Sequence, residues 1–323
     1  MILQADNPLF RYTGRWLVKD GCAEATANGS YFEFAFEGET VLLTFDTSTC
    51  CAPYPHLYIQ IDSGARVAVG VEDYIRLSAG EGKHIARVIL KGSVETQERW
   101  RAPRVSHTVF VGAEAEGFLP LPEDNRPVIE FIGDSITEGI SIDTETYAYQ
   151  TGVSSMVDWD DSTAGYAWRI AEALSMRPVI MGYGCLGLLR GGAGNVPPVC
   201  ESYPLHSEGN PLPPTDADIV VLNHGTNDRG NPDKAGFIQA YKTMLGILRE
   251  RNPRARILAL TPFSGCLAKE IAIAVAAYCN ESGDRVFYLD STGWISPEPL
   301  HPTREGHREV CRRVSAFIAE KML

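Results

Sequence analysis

The chain has no surplus of basic residues. Its 29 Lys and Arg stand against 41 Asp and Glu, a formal net charge of -12 at pH 7. Nucleic acid and anionic membrane surfaces would be repelled at long range by that charge, so neither is expected as a partner. Long apolar runs are missing as well, since none approaches the ~18 residues of a membrane span. The opening stretch MILQADNPLFRYTGRW has neither a basic n-region nor an apolar h-region, so no secretory leader is visible and a cytoplasmic location is expected. Cysteines in zinc-ligand spacing are absent. Cys22, Cys50, Cys51, Cys185, Cys200, Cys266, Cys279 and Cys311 fit neither a metal template nor a dense disulfide scaffold. Most read as reduced, buried small hydrophobes. The adjacent Cys50-Cys51 pair leaves a vicinal disulfide or a metal role open. No cofactor is expected.

What is present describes a globular protein. Of 323 residues 44% are hydrophobic and 22% charged, enough chain for two ordinary cores. Two periods divide it. In residues 1–120, the tracts Tyr31–Phe36, Val41–Phe45, Leu57–Ile61, His84–Leu90 and His107–Val111 alternate or run apolar between Gly/Asp/Ser clusters. Short strands so spaced, without helical stretches between them, predict a β-sandwich or jelly roll. The Pro-rich stretch Leu119–Pro127 reads as a linker. From residue 127 to 323, short apolar strands at 128–132, 179–181, 219–222, 257–260 and 286–289 alternate with helical patterns at 165–176, 234–251, 271–279 and 304–322. That alternation predicts an α/β fold with a doubly wound parallel sheet.

In open α/β sheets ligands bind beyond the carboxyl ends of the strands. Three polar motifs fall there: Gly133-Asp134-Ser135, Gly184-Cys185-Leu186-Gly187, and His224-Gly225-Thr226-Asn227-Asp228. A fourth, Glu298-Pro299-Leu300-His301-Pro302, follows the last strand. A serine hydroxyl becomes a useful nucleophile only when a base takes its proton. His301 is the candidate base for Ser135, and Glu298, three residues earlier, is the candidate carboxylate to orient the imidazole. Three donors suit a developing oxyanion: the Ser135 N–H, a Gly N–H of the 184–187 loop, and the Asn227 side chain. Bland readings compete. Asp134-Ser135 reads equally as a helix N-cap, and His307 and His224 read as structural neighbours. Trp294, on the loop leading to His301, is the aromatic best placed to line a pocket, ahead of Trp159 and Trp168. The Gly-rich loop 191–198 borders the second motif.

Taken together the four motifs resemble the GDSL, or SGNH, hydrolases. The match runs through Gly133-Asp134-Ser135, a glycine after the second strand, Gly225-Thr226-Asn227-Asp228, and Glu298-Pro299-Leu300-His301, where the family carries Asp-x-x-His. The resemblance implies a flavodoxin-like sheet with Ser135 as nucleophile and His301 as base. It makes Gly187, with Gly184 as the competitor, the oxyanion glycine beside Asn227. Asp134, Gly225 and Asp228 are then supporting residues. The Glu in place of Asp puts the third member in doubt, and a backbone carbonyl would orient the imidazole in a dyad. With its β-rich front half, the chain resembles carbohydrate esterase family 2, the acetyl-xylan esterase type. The reaction this implies is hydrolysis of short acyl esters, acetyl foremost, on a small-molecule or oligosaccharide substrate. The alternatives are a carbohydrate-binding protein with a degenerate site, a thioesterase or lipase-type acyl hydrolase, and a metal-dependent phosphoesterase. The last lacks the clustered His and Asp ligands that such chemistry needs.

Overall fold

The computed structural model describes residues 1–144 and 156–323. The alternating tracts of the first 120 residues form one ten-stranded sheet, from Ile2–Gln4 to Thr108–Leu119, antiparallel in every pairing. The tracts 31–36 and 41–45 belong to a single strand, Tyr31–Phe45. Its first part pairs with Lys83–Ile89 and its second, Thr40–Thr44, with Tyr74–Ser78. Gly38 lies at the change of partner with φ +111°, a conformation that side chains resist. On the other edge Thr108–Leu119 follows the same strand past the bend. The switch of partners folds the sheet over an interior of Phe10, Phe32, Phe34, Phe36, Phe110 and Phe118, with Phe32 and Phe110 stacked at 4.3 Å.

The second half holds five parallel strands. Val128–Gly133 is second in order, with Arg177–Gly182 at the edge on one side and Ile219–Asn223, Arg256–Leu260 and Val286–Leu289 in turn on the other. Alternate residues of these strands enter opposite cores. Ile132, Val179, Val220 and Ile257 meet the helices Lys234–Arg251 and Ala268–Ser282. Ile129, Phe131, Val221 and Leu258 meet Tyr166–Ala173 and Arg304–Lys321. Burial on both faces explains the apolar runs of the sequence, and Glu130, which interrupts the first, is buried where the Tyr203 and Thr215 hydroxyls each donate to its carboxylate at 2.8 Å. Both cores take residues from the first half: Ala27 and Trp100 in one, Tyr31 and Ile89 in the other. The chain leaves Val128–Gly133 to build its neighbour on one side, then crosses to the other, so a switch point lies beyond Gly133.

One expectation fails. No cysteine is fully buried: six are half-buried, Cys51 and Cys185 are exposed, and all eight are free thiols. Cys200 and Cys279 pack against the edge of one core of the parallel sheet and Cys311 against the other, without entering them. Cys50 Sγ donates to the His107 carbonyl at 3.6 Å, and Cys50 and Cys51 are not joined. Among the described residues, no helix is long and apolar enough to cross a membrane.

Candidate active site

The first parallel strand ends at Gly133, and a single helical turn, Ser135–Glu138, begins two residues later. The capping residue is Asp134, whose carboxylate accepts the Ile136 N–H at 3.0 Å. Ser135 is therefore not needed as the cap, and its hydroxyl is left for another partner. That partner is His301, whose Nε2 lies 2.8 Å from Ser135 Oγ across 166 residues of chain. Burial lowers the His301 pKa below its usual value, which keeps the imidazole neutral and able to accept a proton. At the other end of the turn Gly139 has φ +88°, and a Cβ there would meet the Asp161 carbonyl oxygen at 2.7 Å. Only glycine fits, so the turn that presents Ser135 has a fixed length.

The Asn227 motif follows the strand Ile219–Asn223 as a 3₁₀ turn, Thr226–Asp228. Gly225 enters it at φ +137°. Asn227 Nδ2 donates to the Leu186 carbonyl at 2.9 Å and to Asp134 Oδ2 at 3.3 Å. Asp228 accepts the Leu188 and Leu189 N–H groups, each at 2.9 Å, and so ties the second motif to the third. A Cβ on Gly187 would stand 2.7 Å from that carboxylate. The Asp134 side chain is fully buried, and burial pushes its pKa up to about 6. Its neighbours hold it as a scaffold between the Ser135 turn and Asn227.

Several expected residues sit differently. Glu298 is exposed, and its carboxylate makes no hydrogen bond to His301 among the described residues. Spacing by three brings side chains together on a helix, but residues 296–303 are not helical. Instead the Glu298 backbone N–H donates to Ser296 Oγ at 3.2 Å, and its carbonyl accepts from the same hydroxyl at 2.6 Å. The Gly187 N–H, expected to face an oxyanion, donates to the Arg190 carbonyl at 3.1 Å. Trp294 packs against the core beneath Arg313, whose guanidinium lies 5.3 Å from the ring centre. Trp168 is a core residue with its Nε1 donating to Glu172 at 2.8 Å. At Gly184 the backbone lies against the Glu95 carboxylate, which a Cβ would strike. His224 and His307 are fully buried, and burial lowers each pKa to about 3. His307 Nδ1 accepts the Tyr166 N–H at 3.0 Å, a structural role.

Sequence reasoning missed the groups that brace the His301 loop. Arg304, in the first turn of the last helix, donates to Asp143 Oδ2 at 2.6 Å and to Asp161 Oδ2 at 2.9 Å. Tyr58 of the first half donates to the same Asp161 oxygen at 3.0 Å. A cation in a helix's first turn opposes the helix dipole, and that mismatch three residues after His301 was the available signal that anions must face it.

Fold and site together describe an α/β protein with a serine–imidazole pair and an asparagine amide at the sheet's switch point. The model of the GDSL-like Lipase/Acylhydrolase family matches residues 131–309, more than half of the chain, and the chain belongs to that family. It is 27% identical over 223 residues to the acetylxylan esterase / glucomannan deacetylase of Cellvibrio japonicus, covering 64% of this chain and 60% of that protein. It is 28% identical over 357 residues to the cellulase/esterase CelE of Acetivibrio thermocellus, covering 98% of this chain and 40% of that protein. The chain thus spans less than two thirds of either relative's length. Among solved structures, a family two carbohydrate esterase from Clostridium thermocellum in complex with cellohexaose has a TM-score of 0.79. The sequence identity is 23%, and the match covers 97% of this chain and 99% of that one. The shared architecture extends across both halves.

Proposed function

We propose that the chain is a serine esterase that removes short acyl groups, acetyl foremost, from carbohydrate esters. The 2.8 Å approach of His301 Nε2 to Ser135 Oγ carries the reading. The two curated relatives, named for deacetylation and for cellulase/esterase activity, support the substrate class. The neighbour solved with cellohexaose supports a saccharide-binding cleft. In domain terms the reading pairs a jelly-roll-like sandwich, residues 1–120, with a flavodoxin-like hydrolase unit, residues 127–323.

In the proposed reaction Ser135 Oγ attacks the ester carbonyl as His301 Nε2 takes its proton. The imidazolium returns that proton to the leaving sugar hydroxyl. The same ring then activates water to release acetate from the acyl-Ser135. The Ser135 N–H, in the first helical turn, has no acceptor inside the helix and is one oxyanion donor. Asn227 is the second. Its contact to Asp134 is its longer one, so that hydrogen is the one to turn to the oxyanion while the Leu186 contact holds the amide in place. Gly187 joins only if its bond to the Arg190 carbonyl opens. His301 works as one half of a dyad, with Glu298 in solvent.

The test is acetate release from a panel of acetylated mono- and oligosaccharides. Wild-type protein is expected to turn over, and Ser135→Ala to be folded and inactive. Equal rates in the two would remove Ser135 as the nucleophile.

A further inference from the structure

One side-chain cluster outside the reacting groups reaches the Ser135 turn from the other half of the molecule. Glu138 closes that turn, and neither its side chain nor that of Arg99 has any solvent exposure. Arg99 lies on the segment between the strands Lys83–Gly92 and Thr108–Leu119, and its Nη1 donates to Glu138 Oε1. Asn28 Nδ2 donates to the same oxygen at 3.1 Å, and Ser93 Oγ donates to Asn28 Oδ1 at 3.0 Å. The guanidinium carbon stands 5.0 Å from the centre of the Tyr183 ring, whose hydroxyl meets Thr26 Oγ1 at 2.9 Å. The Arg99 backbone N–H donates to the Gly194 carbonyl at 3.2 Å. Glu95, four residues before Arg99, lays its carboxylate against the Gly184 backbone. The second half alone offers Glu138 no cation in this cluster. Burying a carboxylate without a partner is costly, so the turn that aims Ser135 depends on a group supplied from outside its own fold.

We infer that Arg99 is a positioning residue for Ser135, acting through Glu138, so that the antiparallel half is a working part of the reacting site. This rests on Ser135 being the nucleophile. The carboxylate is drawn toward Arg99 and Asn28, which fixes the end of a turn only four residues long. Without the guanidinium the buried carboxyl takes up a proton: burial already pushes the Glu138 pKa above the usual carboxylate range, and Arg99 holds it from going higher. A neutral Glu138 lacks the charge-assisted bond, and the turn drifts. A misplacement of about 1 Å at a reacting group costs ~10² in rate.

The experiment measures kcat, KM and the rate at which a fluorophosphonate labels Ser135, for wild-type protein, Arg99→Met, Arg99→Lys and Glu138→Gln. Arg99→Met is expected to lose ~10² in kcat per labelled site, with KM within about threefold and labelling slowed in parallel. Arg99→Lys, which keeps the charge, should recover at least tenfold of that loss. An Arg99 that merely stabilised the fold would lower the melting temperature and leave kcat per labelled site and the labelling rate unchanged, and that result overturns the inference. If Arg99→Met does not fold, Glu138→Gln decides, because its shape is kept: slowing of at least tenfold supports positioning, and wild-type rates refute it. If wild-type protein is neither labelled at Ser135 nor active, the esterase reading itself fails. A wild-type enzyme that labels normally while every variant matches it removes this inference alone.

Discussion

Replacing Glu298 by Gln separates a triad from a dyad. A carboxylate that fixes the tautomer of a catalytic imidazole and stabilises its cation is worth up to ~10⁴ in turnover, or about 5.4 kcal/mol. The structure gives Glu298 no such bond. Its side chain faces solvent, and its backbone is engaged with Ser296. A solvated carboxylate that makes no bond to an imidazolium interacts with it through water by less than about 1 kcal/mol, a few-fold in rate at most, and salt reduces it further. Glu298→Gln is therefore expected to lower kcat/KM less than about threefold, in low salt and at pH 7. The assay is initial-rate hydrolysis of p-nitrophenyl acetate, with active sites counted by phosphonate labelling so that partial unfolding does not imitate a kinetic loss. His301→Ala in parallel sets the scale of losing the base. A hundredfold drop in folded Glu298→Gln would refute the reasoning, since it would mean that the loop carries the carboxylate onto Nδ1 during the reaction.

Two further outcomes follow from the same geometry. Because burial depresses the His301 pKa, the neutral base persists below the usual histidine range. The acid limb of kcat/KM should then have its midpoint under 6.5, read from a pH profile on a neutral ester; a midpoint above 6.5 would indicate an anionic partner on the ring. Asn227→Ala should fold and lose ~10²–10³ in kcat as an oxyanion donor goes missing, whereas wild-type turnover in that variant would remove Asn227 from that role.

Much of this protein was legible along the chain, for reasons that are local. Strands covered on both faces are mostly apolar, so the five parallel strands announced themselves at 128–132, 179–181, 219–222, 257–260 and 286–289, with the buried Glu130 interrupting the first. The polar motifs stood out against them because little else interrupts such runs at strand ends. Two strand tracts read apart, 31–36 and 41–45, proved continuous, since a bend at one glycine looks like a turn until pairing partners are known. For Glu298 the sequence left triad and dyad open, because whether a carboxylate three residues before an imidazole meets it depends on the loop's backbone, and no pattern in Ser296–His301 reveals the bonds that hold that backbone.

The amino-acid order alone determined the layering of the second half and which hydroxyl, imidazole and amide were candidates, because periodicity and motif spacing are properties of neighbouring residues. Tertiary structure decided what those groups do to one another. It brought Ser135 and His301 to 2.8 Å, gave the cap to Asp134, committed the Gly187 N–H to Arg190, and closed the ion pair between Arg99 and Glu138. Distances between groups far apart in sequence are set by how whole layers pack, and burial sets the charge each group carries; neither is written in any short stretch of chain.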